Sequence, residues 1–306
     1  MALPAVINVH VEEPLKAKDY RSDITPTWCP GCGDFGVVSS LAKAYADQKY
    51  DPSAVTTVSG IGCSSRLPLW MNSFGIHSCH GRAVPVAIGA HLARPEMPVV
   101  VTIGDGDCFA IGGGHIMHPA RRNMNMTVIV MDNGTFALTK NQTSPLSRTG
   151  LPGTLASDLG NLDEPMNPIE MMITYGATYV AQTYSANAKH MGKVINEALA
   201  HQGFSYVNIL SPCPTYNKVD TFAYFRPRIH DINEAGEHTD LSNRAAAMMK
   251  ASELYQHHHS EDAPVPVGVY YQAQKPVYYE KVKQVQEFYG MKETIDWDNI
   301  FDRYKP

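Results

Sequence analysis

Val99-Val100-Val101-Thr102-Ile103-Gly104-Asp105-Gly106-Asp107 is the stretch from which the rest of the chain is read. An unbroken apolar, β-branched run that ends at once in glycines and carboxylates has the pattern of a buried strand leading into a ligand-binding turn. A second run of this kind, Thr127–Met131, is closed by Asp132-Asn133-Gly134-Thr135. Between the two, Ile111–Arg121 has helical patterning. Strand, helix and strand in this order predict one unit of a parallel sheet.

The alternation continues in both directions. Val55–Ser59, Thr178–Ala181 and Tyr206–Leu210 read as further strands, and Arg82–Ala93, Pro168–Tyr175 and Ala186–His201 as helices. The expected fold class is α/β: a mostly parallel sheet with helices on both faces. Glycine marks a change of character along the chain, since 20 of the 23 glycines precede Arg226. Residues 1–225 therefore read as one α/β domain and residues 226–306 as an irregular C-terminal extension. That extension, with Pro227, Pro264, Pro266 and Pro276, is expected to be an extended arm with short helices such as Lys281–Phe288. His257-His258-His259 reads as a solvated surface tract.

Composition narrows the classes. The chain has 306 residues, a formal charge of −5 and 44% hydrophobic residues, enough for a sizeable core. A mild acidity argues against a nucleic-acid groove or an anionic membrane surface as partner. No apolar run approaches the ~20 residues of a membrane span, and Met1–Val11 lacks the basic-then-apolar layout of a signal peptide. A cytoplasmic protein is expected. Charged residues make up only 18%, against roughly 25% in an average soluble chain, which fits a surface that partly faces another protein.

The six cysteines are Cys29, Cys32, Cys63, Cys79, Cys108 and Cys213. In a cytoplasmic chain of this size, spaced cysteines point to metal ligation or redox chemistry rather than disulfides. Cys29-Pro30-Gly31-Cys32 places turn-forming residues between two thiols, as an anionic metal–thiolate site requires. By itself it also suits a zinc knuckle or a redox dithiol.

In open parallel sheets, ligands bind just beyond the carboxyl ends of the strands. The loops there carry Gly60-Ile61-Gly62-Cys63-Ser64-Ser65-Arg66, Gly104–Asp107, Asp132–Thr135 and Ser211-Pro212-Cys213-Pro214. Thiols, carboxylates, an amide and bare glycine backbone thus converge on one edge. Asp105 offers a carboxylate, Asn133, 27 residues after Gly106, an amide oxygen, and Thr135 a backbone carbonyl. Such a set of oxygens suits Mg²⁺ shared with a diphosphate. Gly106 allows close approach of the diphosphate, and the helix that follows offers its N–H groups.

Gly104-Asp105-Gly106 followed by Asn133 resembles the thiamine-diphosphate motif of thiamine-dependent enzymes. Adding Trp28-Cys29-Pro30-Gly31-Cys32-Gly33, Ile61-Gly62-Cys63-Ser64, His80-Gly81-Arg82-Ala83 and Ser211-Pro212-Cys213-Pro214, the chain resembles the β subunits of 2-oxoacid:ferredoxin oxidoreductases from Trp28 to Asn217. The resemblance implies the thiamine-diphosphate-binding fold, with thiamine diphosphate, Mg²⁺ and one [4Fe–4S] cluster as cofactors. It implies Cys29, Cys32, Cys63 and Cys213 as the four cluster ligands. It also places Ile61–Ser64, Gly106, Asp107, Ala137 and Leu138 along the cofactor. His80 is a candidate at the thiazolium side, and Arg66 a candidate for the distal carboxylate of a diacid substrate. Cys79 and Cys108 match no ligand position.

The implied activity is CoA-acylating oxidative decarboxylation of a 2-oxo acid. Electrons pass through the cluster to ferredoxin, and the reaction can run in reverse as CO₂ fixation. The stretch from Gly62 to Arg66 looks most like that of the 2-oxoglutarate enzymes; the same reaction on pyruvate or a branched-chain acid, or a non-redox thiamine-dependent decarboxylase, are the alternatives. A glutamate that activates the aminopyrimidine of thiamine is implied but has no counterpart here, because no Glu occurs between Glu13 and Glu96. It is therefore expected on an α subunit that bears the pyrimidine-binding domain, in an α₂β₂ assembly.

Overall fold

The structure, a computed structural model, describes residues 8–154, 156–254 and 262–288. The first half of the chain runs α1 (Asp34–Asp47), β1 (Thr56–Ser59), β2 (Phe74–His77), α2 (Ala83–Ala93), β3 (Val99–Gly104), α3 (Gly113–Arg122) and β4 (Met126–Asp132). A small hairpin, β5 (Thr135–Phe136) and β6 (Gln142–Thr143), precedes α4 (Pro168–Tyr175), β7 (Tyr179–Tyr184), α5 (Ala188–Ala200) and β8 (Phe204–Leu210). Last come α6 (Phe222–Phe225), β9 (Ile229–Asp231), α7 (Arg244–Ser252), β10 (Val265–Gln272) and α8 (Tyr278–Phe288).

Eight strands form one sheet in the order β2-β1-β3-β4-β8-β7-β10-β9. The six from β2 to β7 are mutually parallel, and β10 joins β7 antiparallel. Strand side chains alternate between two cores. Val101, Ile103, Val128, Val130, Phe204 and Tyr206 pack with α2, α3, α4 and α7 on one face. Val100, Ile129, Met131, Val207 and Ile209 pack with α1 and α5 on the other. Buried on both faces, these strands read as continuous apolar runs. The expected strands and helices all occur, with ends displaced by a few residues. α4 starts and stops where expected because its signals are local. The Asn167 side chain accepts from Ile169 N and Glu170 N, Pro168 opens the helix, and Gly176 at φ +93° closes it.

Several elements go beyond the sequence reading. α1 follows the Cys-Pro-Gly-Cys turn directly, and β2 is a short edge strand with little apolar signal. β9 and β10 give the described part of residues 226–272 more order than an extended arm. Pro266 and Gly268 read as breakers, yet β10 accommodates both. Its ladder with β7 begins only at Gly268, which takes φ +134° beside a bulge between Val269 and Tyr271. His257–His259 lie outside the described residues. Among those described, no helix is long and apolar enough to cross a membrane.

The topology positions the site. After β1 the chain moves outward to β2; after β3 it moves the opposite way, to β4. The crevice beyond the carboxyl ends of β1 and β3 is thus the switch point of the sheet, where ligands bind in open α/β folds.

Candidate active site

That crevice holds a narrow cleft of about 30 Å³. Its walls are Ile61, Gly62, Cys63 and Ser64 after β1, Gly104–Asp107 after β3, and Asn133 with Thr135–Thr139 after β4; His80 completes it. The structure therefore brings together every residue expected along the cofactor.

Buried carboxylates build the frame. Asp107 accepts from Ile61 N at 3.0 Å through Oδ2 and from Gly81 N at 2.7 Å through Oδ1, which also pairs with His80 Nδ1. Gly60 must be glycine, because a Cβ there would collide with Asp107 Oδ2. Asp107 thus ties the loop after β1 to the His80 turn.

Asp105 accepts from the Ser144 hydroxyl at 2.5 Å and weakly from Asn133 N at 3.5 Å. Burial, and then the neighbouring Asp132 carboxylate, hold Asp105 well above the usual carboxylate range. Burial likewise pushes Asp132 up to about 6. Two carboxylates that resist ionisation side by side are what a bound cation would relieve. Asn133 Oδ1 accepts from Thr135 N at 3.1 Å, and the Thr135 carbonyl accepts from Ala137 N at 3.0 Å with a second lone pair in reserve. Gly106 lies against Phe136, whose ring would stand 2.6 Å from an added Cβ.

The cysteines converge beside the cleft. Trp28 Nε1 donates to Cys63 O at 2.8 Å, and Gly33 N donates to Pro212 O at 3.2 Å, so the loops bearing Cys29/Cys32, Cys63 and Cys213 are stitched together. Gly31, at φ +81°, permits the turn between Cys29 and Cys32. Burial, the Asp34 charge and then Cys213 and Cys29 push the Cys63 thiol up to about 11, with Arg66 opposing them. Cys32 is pushed higher by burial, Asp34, Cys213 and Cys63. Among the described residues, no group of three or more His, Cys, Asp or Glu side chains is arranged to hold a metal ion as it stands.

The remaining candidates separate. Arg66 does not line the cleft; it lies over the Trp70 ring at 5.5 Å and donates to Thr27 Oγ1 at 2.6 Å. Cys108 is buried in the core and Cys79 is exposed. Phe136, Thr139, Ser144 and Asp34 escape the sequence reading, and Asp132 enters it only as part of its loop. Asp34 carries a signal, as it directly follows the Cys-Pro-Gly-Cys-Gly turn.

Comparison with known proteins agrees with this geometry. Residues 60–209 match the thiamine pyrophosphate enzyme C-terminal TPP-binding domain, and residues 213–287 match the C-terminal family of the pyruvate ferredoxin oxidoreductase β subunit. The chain is 36% identical over 281 residues to 2-oxoacid:ferredoxin oxidoreductase 1, subunit beta, of Aeropyrum pernix, covering 89% of this chain and 86% of that one. It is 38% identical over 203 residues to the 2-oxoglutarate synthase subunit KorB of Archaeoglobus fulgidus, covering 66% and 75%. A solved structure of 2-oxoglutarate:ferredoxin oxidoreductase from Magnetococcus marinus, with 2-oxoglutarate, coenzyme A and succinyl-CoA bound, superposes with a TM-score of 0.86. The two are 42% identical, over 96% of this chain and 97% of that chain.

Proposed function

We infer a function from one premise: the chain belongs to the 2-oxoacid:ferredoxin oxidoreductases, as a β subunit that bears the thiamine-diphosphate-binding domain. We propose that its complex converts 2-oxoglutarate, coenzyme A and oxidised ferredoxin to succinyl-CoA, CO₂ and reduced ferredoxin, reversibly. When bound, the thiamine cofactor supplies the electron sink for the decarboxylated carbon, and a [4Fe–4S] cluster supplies the one-electron exit.

The residues fit both groups. Asp105, Asn133 and the Thr135 carbonyl would hold Mg²⁺ and through it the diphosphate, which enters where Gly104 bares the backbone, Gly106 being covered by Phe136. Burial keeps Cys32 and Cys63 hard to ionise as they stand, and the positively charged core of an iron–sulfur cluster would draw them in as thiolates. Cys29, Cys32, Cys63 and Cys213 would be its ligands. The observation that carries the reading is Cys63, which lines the cleft and also stands among the four cysteines. One residue therefore joins the carbon chemistry to the electron exit.

His80, held through Nδ1 by Asp107, would present Nε2 for proton movement beside the cofactor. Arg66, freed from Thr27, would pair with the distal carboxylate of the substrate. None of the cleft-lining residues is a glutamate. The group that activates the aminopyrimidine would come from an α subunit, in an α₂β₂ cytoplasmic complex.

The test is an anaerobic spectrum and metal analysis of the purified complex, then ferredoxin reduction with 2-oxoglutarate, pyruvate and a branched-chain acid. Iron and sulfide near four per chain and a preference for 2-oxoglutarate are expected. One zinc without iron overturns the cluster; a preference for pyruvate overturns the substrate.

A further inference from the structure

Asn217 is buried in the loop after β8, four positions past Cys213, and has no part in the reading above. Its amide uses its whole hydrogen-bonding capacity. Nδ2 donates to the Asn133 carbonyl at 3.0 Å and to Asp220 Oδ2 at 3.1 Å. Oδ1 accepts from Val219 N at 3.1 Å and from Asp220 N at 2.9 Å. The two accepted bonds make a turn within the residue's own loop. The bond to Asn133 leaves that loop and reaches the one after β4.

Asn133 and Thr135 are the two cation ligands of that second loop, and the carbonyls between them are gripped from outside it. Asn217 holds Asn133 O, and the Ser147 hydroxyl holds Gly134 O at 2.6 Å. Neighbours of Ser147 extend the brace. Ser144 donates to Asp105, and Arg148 Nε stands 2.7 Å from Asp220 Oδ1. These contacts close a circuit through the loops after β3, β4 and β8. Gly134 sits inside it at φ +64°, where an added Cβ would stand 3.2 Å from Asn217 Nδ2. Mg²⁺ demands near-ideal octahedral geometry. The Asn133–Gly134 peptide links the two ligand residues, so a rotation of it displaces one ligand oxygen relative to the other.

We propose that Asn217 is a positioning residue for the cleft cation. By fixing the Asn133 carbonyl from the loop that carries Cys213, it keeps the Asn133 amide oxygen and the Thr135 carbonyl in one relation. It thereby sets the Mg²⁺ requirement of thiamine diphosphate binding. This rests on the cation and cofactor reading above.

The experiment titrates Mg²⁺ into the purified complex at a fixed thiamine diphosphate concentration, with bound cofactor read by equilibrium dialysis, for wild type and Asn217→Ser. A serine hydroxyl keeps an acceptor for Val219 N and Asp220 N but is too short to reach Asn133 O. Half-saturating Mg²⁺ should rise about tenfold, and high Mg²⁺ should restore binding to the wild-type level. Iron content should not change. An unmoved half-saturation, or a loss that high Mg²⁺ does not restore, overturns the assignment. If the serine variant does not assemble, Asn217→Thr, which keeps the hydroxyl and fills more of the space, decides by the same shift. Failure of both to assemble overturns the proposal, because Asn217 would then serve the fold itself. A wild-type complex that binds no thiamine diphosphate at any Mg²⁺ concentration would instead overturn the cofactor reading.

Discussion

Two donor sets lie side by side at the carboxyl edge of this sheet and are built on opposite plans. The cleft gathers oxygen donors from loops after neighbouring parallel strands, β3 and β4, and its metal-binding signature spans only about 30 residues. The cysteine set gathers thiols from Cys29 to Cys213, across three loops bound by Trp28, Gly33 and Asp34. The first is local and hard, the second long-range and soft. Both hold carboxylates that their surroundings keep hard to ionise, Asp105 and Asp132 in one, Asp34 in the other. A cation bound in the cleft would offset the cost of the charges there. Cys63 and Ser64 are the hinge between the two regions, as Ser64 lines the cleft and also faces Asp34.

If the two regions are separable, the largest effect comes from Asp105→Ala. Thiamine diphosphate affinity in Mg²⁺ should fall on the order of 100-fold or more, since the metal loses its carboxylate. Iron content should stay at the wild-type level. The change also removes a buried carboxyl whose ionisation beside Asp132 is costly, so the unliganded complex should melt no lower than wild type. Calorimetry of cofactor binding, iron analysis and a melt together check this. A joint loss of iron and cofactor would break the separation.

The converse variant is Cys213→Ser. Serine is close in size but a poor substitute for a thiolate, so iron content should fall severalfold and oxygen sensitivity should rise. Cofactor affinity should stay nearly unchanged, because Cys213 is not among the cleft walls. Iron retained in full would remove Cys213 from the ligand set.

The legibility of the two regions follows their construction. Gly104-Asp105-Gly106 and Asn133 declare themselves because each ends an apolar run whose neighbour in sequence is also its neighbour in the sheet. The carboxyl-end rule brings Cys213 and Cys63 to one edge of the sheet, but only the resemblance makes them ligands of one centre, because chain distance says nothing about how close the two loops stand. Phe136 is silent in the sequence because its role is to cover Gly106, a contact without any spacing rule. β10 is hidden because Pro266 and Gly268 are local stop signals, overridden by pairing with β7 and β9. Arg66 shows the opposite fault. Its place in the motif suggests substrate, while its guanidinium is engaged by Thr27 and Trp70.

A smaller effect sharpens how tightly the cleft is built. In Gly106→Ala the backbone is at ease, since φ −63° and ψ −40° suit any residue. Only space is lost, and the Phe136 ring must swing toward the cleft to admit the methyl. Overpacking of this kind costs about 1–3 kcal/mol. Because the ring can yield, most of that cost should fall on cofactor binding, about a tenfold loss. Phe136→Leu in the same chain should recover it, and calorimetry of the single and double variants reads the difference.

The smallest effect distinguishes the buried acids by their pH dependence. Asp132 lies at about 6 when folded, raised chiefly by burial, against an ordinary value of 3.8. Between these values the folded chain keeps a proton that the unfolded chain has released. Stability from this group is therefore fully present below about pH 4 and is lost as pH rises through about 6. Asp105 acts in the same direction, so Asp132→Asn should flatten only part of the slope. Asp132 is not fully enclosed, and its Oδ2 already accepts from Asn208 Nδ2 at 3.1 Å. The expected gain is accordingly small, about 2–4 °C in the melting temperature near pH 7 and nearly none near pH 4. Melting the unliganded wild-type and Asp132→Asn complexes across this range checks the sign. A variant that loses stability at neutral pH while matching wild type in acid would mean that the Asp132 charge is already compensated in the empty cleft, with no need of a cation.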